Sequence, residues 1–101
     1  MSTAVATIVG KISKMEEVSV GDTFLLKVSV PTYARSGADK SVTWWQACIW
    51  AKRGLAAKRV LQVGDLVSLS GNIQVCVLGS GEHRSYQAEL ECLTWARLGG
   101  G

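Results

Sequence analysis

Residues 42–62, VTWWQACIWAKRGLAAKRVLQ, change character at their midpoint, and that change decides the fold. Over 42–51, VTWWQACIWA, β-branched and aromatic residues dominate and predict a strand. Over 54–62, GLAAKRVLQ, alanine and leucine take over, and no other stretch of the chain is as well suited to a helix. A strand that runs into so short a helix must rejoin a sheet, so the flanking segments fix the architecture.

Upstream, AVATIVGKI (4–12) is a β-branched run with Gly10 inside it, which predicts a strand bent or bulged at the glycine. The polar stretch 13–22 follows and ends in the turn signal Gly21-Asp22. TFLLKVSV (23–30) alternates as a second strand and is expected to stop at Pro31. Residues 31–41, PTYARSGADKS, then predict a long loop. Downstream, Gly64 suits a helix C-terminal cap. The segments 66–78 and 85–97 alternate as two long strands, joined by the hairpin loop GSGEHR (79–84).

The order is therefore three strands, a short helix and two strands. Five strands in a chain of 101 residues cannot easily cover both faces of an open sheet, whereas closure into a barrel removes the exposed edges. The expected fold is all-β with a small α component: an OB-fold, a five-stranded Greek-key barrel with its helix between strands 3 and 4. It should occupy residues 1–98 as one domain, with Gly99-Gly100-Gly101 as a tail.

Composition narrows the function. The chain is 48% hydrophobic and 19% charged, as in an ordinary soluble domain, and no apolar run approaches the roughly 20 residues that span a bilayer. The start, MSTAVATIVGK, lacks the basic-then-apolar layout of a signal peptide, so a cytoplasmic location is expected. A net charge of +3 is compatible with a polyanionic partner without demanding one. Cys48, Cys76 and Cys92 lie singly in apolar strand-like runs, and His83 is the lone histidine. Neither a disulfide framework nor a metal site is expected; the thiols read as small buried hydrophobes. With no paired nucleophile and base, no enzyme is expected, and no cofactor.

Strand parity then divides 42–51 into two faces. Trp45, Ala47, Ile49 and Ala51 form a set that suits a tight interior. Trp44, Gln46, Cys48 and Trp50 form the other, with a large aromatic at each end and polar Gln46 between. Six positions of strand place Trp44 and Trp50 roughly 20 Å apart, a spacing that suits separate bases better than one core cluster. Aromatics on an open sheet stack on bases with little sequence preference, and neighbouring cations hold phosphates. Lys52 and Arg53 follow Trp50 directly, with Lys58 and Arg59 further along the helix; Tyr33, Arg35 and Lys40 form a second aromatic-and-basic group, and Arg84 lies in the hairpin loop. A strand tryptophan more often packs than binds, and Trp45 and Trp95 are assigned to packing, Trp45 with a subunit interface as one candidate.

The block 43–73 resembles the bacterial single-stranded DNA-binding protein family, whose pattern is T-x-W-x-x-V-V-x-[FW]-x-K, a short helix, then L-x-K-G-x-x-V-x-[IV]-x-G-x-[IL]. Without a gap, Trp44 and Trp50 fall on the two aromatics and Lys52 on the lysine, while Leu61, Gly64, Val67, Leu69, Gly71 and Ile73 fall on the later positions. VATIVGKI (5–12) is similar to the family's opening, and Tyr86 with Glu89 fits its last strand. The resemblance implies an OB-fold that binds single-stranded DNA without sequence specificity as a homo-oligomer, a tetramer or a dimer. It makes Trp44 and Trp50 the stacking aromatics, Lys52 a backbone contact and Tyr33 a stand-in for a loop aromatic. The chain departs from the pattern at three places. A third aromatic is missing from QVCVLGSG (74–81), the basic hairpin is short, and no acidic tail follows RLGGG, so recruitment of repair proteins through a tail is not expected. Two other readings of the same fold remain: a primosomal or plasmid replication accessory, and a module for RNA or protein.

Overall fold

A computed structural model describes the backbone of residues 4–37, 39–78 and 85–100; the side chains of 34–36, 39–40, 75–78 and 85–88 lie outside the described set. Six strands and one helix follow in the order β1 (Val5–Lys11), β2 (Lys14–Val20), β3 (Thr23–Ser36), β4 (Asp39–Trp50), α1 (Ala51–Val60), β5 (Leu66–Leu78) and β6 (Ser85–Gly99). Hydrogen bonding orders the sheet β1-β5-β6-β4-β3-β2. All neighbours are antiparallel except β4 and β6, which run parallel.

The two outermost strands of that order are consecutive in sequence, and this closes the barrel. At the joint the chain changes partner: Ile12 N–H donates to the Asp65 carbonyl (2.9 Å) and Ser13 N–H to the Ser29 carbonyl (2.8 Å). Thus β1 and β2 are two halves of one bent strand, the first paired with β5 and the second with β3. Counted in this way the barrel is the five-stranded OB-fold with its helix between the third and fourth strands.

Four expectations about local structure need correction. Residues 14–20, read as a polar connection, form β2. Pro31 does not end its strand: β3 continues to Ser36 and pairs with β4 from Pro31↔Trp44 to Ser36↔Asp39, where a loop was expected. The reason is that β2, starting at Lys14, pairs with β3 no further along than Ser29, so at Pro31 the strand has an edge, where a missing N–H is tolerated. Gly10 carries no bulge, since β1 pairs with β5 in unbroken register; the irregularities lie between β5 and β6, where Leu93 and Leu98 of β6 are passed over opposite Ser70/Gly71 and Leu66/Val67. The helix begins at Ala51 rather than 54 and is capped at Leu61, while Gly64, at φ 95°, lies in the turn beyond and donates its N–H to the Ile12 carbonyl.

The interior is aliphatic. Ile8, Ile12, Leu26, Val28, Val30, Ala47, Ile49, Ala57, Leu61, Val67, Leu69, Leu90 and Cys92 form one buried cluster, with Trp45 and Trp95 packed partly buried against it. Helix α1 is seated on it through Ala57 and Gly54. A β-carbon added at Gly54 would strike the Ile49 carbonyl and approach the Phe24 ring to 3.2 Å, so only glycine permits this approach. Among the described residues Asp65 is the one buried charged residue, 3% exposed. Its Oδ2 accepts from Gln62 N–H (2.9 Å) and from Arg97 Nε (3.1 Å), fixing the turn between α1 and β5. Lys58 pairs with Glu17 across the exposed surface between α1 and β2.

Candidate nucleic-acid interface

The parity of β4 is what builds the candidate site. Ala47 and Ile49 are buried in the core, so residues 44, 46, 48 and 50 face outward. Trp44 is 57% exposed and Trp50 41%, large values for the side chain that contributes most to a core when available. Trp45, between them in sequence with Trp44, turns inward: its Nε1–H donates to Thr32 Oγ1 at 3.0 Å. That bond and its packing tie Trp45, partly buried, to its own barrel.

Register extends this outer face to both sides. On β3, Pro31, Ser29, Lys27 and Leu25 lie opposite Trp44, Gln46, Cys48 and Trp50. On β6, Glu89 and Glu91 lie opposite Gln46 and Cys48. Two residues beyond Pro31, Tyr33 is 77% exposed and pairs with Val42, so its ring continues the row of Trp44. Three aromatics, Tyr33, Trp44 and Trp50, therefore share one face of one two-stranded ribbon.

Where β4 ends, α1 starts without the usual devices. Trp50 is the N-cap and makes no side-chain capping bond; the first turn holds no acidic residue. Instead Lys52 and Arg53, both exposed, occupy that turn. The first N–H groups of a helix lack intrahelical partners and carry the positive end of its dipole. Two cations are thus added where the backbone is already electropositive, immediately beside the exposed ring of Trp50. The junction is also strained: Ala51 adopts φ 54°, a left-handed conformation unusual for a residue with a β-carbon.

The remaining sequence candidates are placed as follows. Gln46 lies on the outer face midway between the tryptophans, half-buried. Arg35 and Lys40 are register partners near the tip of the β3–β4 ribbon, although their side chains lie outside the described residues. Arg59 sits in the last turn of α1, about 10 Å along the axis from Lys52, where a cation complements the C-terminal end of the dipole. Arg84 lies outside the described residues. Sequence reading overlooked Lys27 and, as a site residue, Glu89; alternation within β3 and β6 would have found both once the register with β4 was known.

Among the described residues no group of three or more His, Cys, Asp or Glu is placed to hold a metal ion. Cys48 and Cys92 are buried and stand outside any disulfide. Burial pushes the Cys92 thiol up, against smaller lowering effects of hydrogen bonds at Ser70 and Thr94 and of the Arg53 charge. Cys76 lies outside the described side chains.

No family model matches the chain, and no curated protein matches it in sequence. Solved structures do match in fold. A small single-stranded DNA-binding protein from Streptomyces coelicolor superposes with TM-score 0.73 at 13% identity, over 96% of this chain and 95% of that one. The second single-stranded DNA-binding protein of Mycobacterium smegmatis gives 0.71 at 19% identity, over 96% and 90%. A mitochondrial single-stranded DNA-binding protein from S. cerevisiae gives 0.79 at 19% identity, over 100% of both chains.

Proposed function

We propose that this chain binds single-stranded DNA with little sequence preference, as a coating protein for strands exposed in replication, recombination or repair. One observation carries the reading: Trp44 and Trp50 stand exposed on the outer face of a strand whose other face buries Ala47 and Ile49 in the core. A barrel that needed those rings for packing would not turn them to solvent. Bases stack on Trp44 and Trp50, each worth about 1–3 kcal/mol. Lys52 and Arg53, at the open end of α1, take the phosphates, and Tyr33 with Arg35 and Lys40 extends the track along the ribbon. The solved structures that share the fold are single-stranded DNA-binding proteins, which supports the same reading.

The functional unit is a homo-oligomer, a tetramer or a dimer. In support, among the described residues β1 has a strand neighbour only in β5, and Val5 and Val9 are exposed on it. An apolar strand with a free edge is a template for pairing with its own copy. Light scattering that finds a monomer at micromolar concentration rejects this assembly.

The deciding experiment is tryptophan fluorescence during titration with oligo-dT at low and high salt, for the native chain and for Trp44→Ala/Trp50→Ala. Strong quenching, mostly lost in the double variant and weakened by salt, is the expected result. A folded native chain that shows no quenching refutes the platform. Tighter binding of the ribose oligomer than of its deoxyribose counterpart would favour an RNA-binding module instead.

A further inference from the structure

The outer face of β4 is charged with opposite sign on its two sides. On the β3 side, Lys27 lies opposite Cys48, and on β2 beyond it exposed Lys14 lies opposite Ser29, with Glu16 opposite Lys27. On the β6 side stand Glu89 and Glu91. Among the described residues neither of these two glutamates has an ion pair. Carboxylates in the middle of a surface that binds a polyanion repel phosphate. A strand stacked on Trp44 and Trp50 therefore runs its phosphates along the lysine side and turns its base edges toward β6.

The two glutamates differ in where they are held. Gln74 Nε2 donates to Glu91 Oε2 at 2.8 Å, which draws that carboxylate toward β5, away from the tryptophan row. Glu89 is drawn the other way. Its Oε2 lies 3.7 Å from the Cys48 thiol, so its carboxylate leans over β4 in the gap between the two tryptophans. Cys48 itself is buried beneath it, and S–H is a weak donor, which leaves acceptor capacity on the carboxylate.

Resting on the single-stranded DNA reading, we propose that Glu89 reads the base held between the two stacking stations and favours guanine there. A carboxylate presents two acceptor oxygens side by side. Among the bases only guanine offers two adjacent donors, N1–H and N2–H, on the Watson–Crick edge that single-strand binders contact. Cytosine and adenine offer one amino group, and thymine a single ring N–H flanked by two acceptors that face the carboxylate unfavourably. The result is a modest base preference within an otherwise sequence-tolerant track.

The test measures affinity of the full chain, by the same tryptophan quenching, for oligo-dT, a mixed thymine–guanine oligomer, and that oligomer with inosine replacing guanine. Inosine keeps the ring and N1–H but lacks the N2 amino group. The native chain should prefer guanine over inosine by about tenfold, the scale of one good base contact. Glu89→Gln should bring that ratio close to one, while binding oligo-dT slightly more tightly because a repelling charge is gone. Glu91→Gln should leave the guanine preference as it is. A guanine-to-inosine ratio near one in the native chain, or an equal ratio in the native chain and Glu89→Gln, overturns the assignment while the stacking platform stands. Failure of every oligomer to quench removes platform and base reading together.

Discussion

Replacing Lys52 with glutamate should make the fold more stable and the binding weaker. The first turn of α1 has no side-chain cap, no acidic residue and two cations. A suitably signed charge at a helix terminus contributes typically 0.3–1 kcal/mol, and an unsuitable one opposes folding by a similar amount. Reversing the sign at Lys52 removes one effect and adds the other, a gain of about 1 kcal/mol. In a domain of this size 1 kcal/mol raises the melting temperature by about 4–8 °C. Lys52→Gln should give about half of that rise. Binding moves oppositely. One lost phosphate contact lowers the slope of log affinity against log salt by about 0.7 for a single strand. The new negative charge then repels the phosphate, with about tenfold weaker affinity at 0.1 M salt as the combined effect. Circular dichroism melts and the oligo-dT titration measure the two sides on one preparation. A variant that melts lower than the native chain refutes the reading of an uncompensated helix end. A variant that melts higher but binds oligo-dT as tightly as before refutes the placement of Lys52 against phosphate.

Ala51→Gly should stabilise the chain by about 0.5–1 kcal/mol in a denaturant melt, since relief at φ 54° exceeds the entropy glycine loses on folding. Gly54→Ala should destabilise by about 1–3 kcal/mol despite alanine's better helix propensity, because its methyl group meets the Ile49 carbonyl and the Phe24 ring; an unchanged melting temperature would mean that α1 can lift off the barrel freely. The Cys92 thiol is raised above its ordinary value of 9.0 by burial, so the folded state disfavours the thiolate. Its contribution to stability is intact below pH 9 and is lost as pH climbs through the raised folded value, a loss that a Cys92→Ala variant should not share in pH-dependent melts.

The parts of the fold legible in the sequence were those where one physical demand acts alone. Along β4, one face must fill the barrel and the other must not, so alternation separated Ala47 and Ile49 from Trp44 and Trp50 without ambiguity. The order of strands around a single short helix then implied closure. What escaped was set by neighbours rather than by local pattern. In β2, KMEEVSV, Met15 and Val18 are half-buried three positions apart, which breaks the period of two, and the strand exists because β3 offers it an edge. Pro31 is tolerated in β3 because pairing with β2 extends no further than Ser29. The helix starts early because Ala51 takes a conformation that residue type rarely adopts. At the site, the aromatics and the cations next to Trp50 could be read directly, whereas Lys27 and Glu89 joined them only through cross-strand register, which no local sequence pattern encodes.

The division of β4 between two faces has one further consequence, for how such a surface could change over generations. Inserting or deleting one residue between Trp44 and Trp50 would not lengthen or shorten the track; it would rotate one ring into the barrel and expel a core side chain. The stacking stations can be moved only two residues at a time, in increments of about 6.6 Å. Their spacing behaves as a ruler with coarse graduations, and drift in the site is blocked by the hydrophobic core on the reverse side of the same strand. Variation in footprint has to come from elements outside this constraint, such as the β3–β4 ribbon that carries Tyr33.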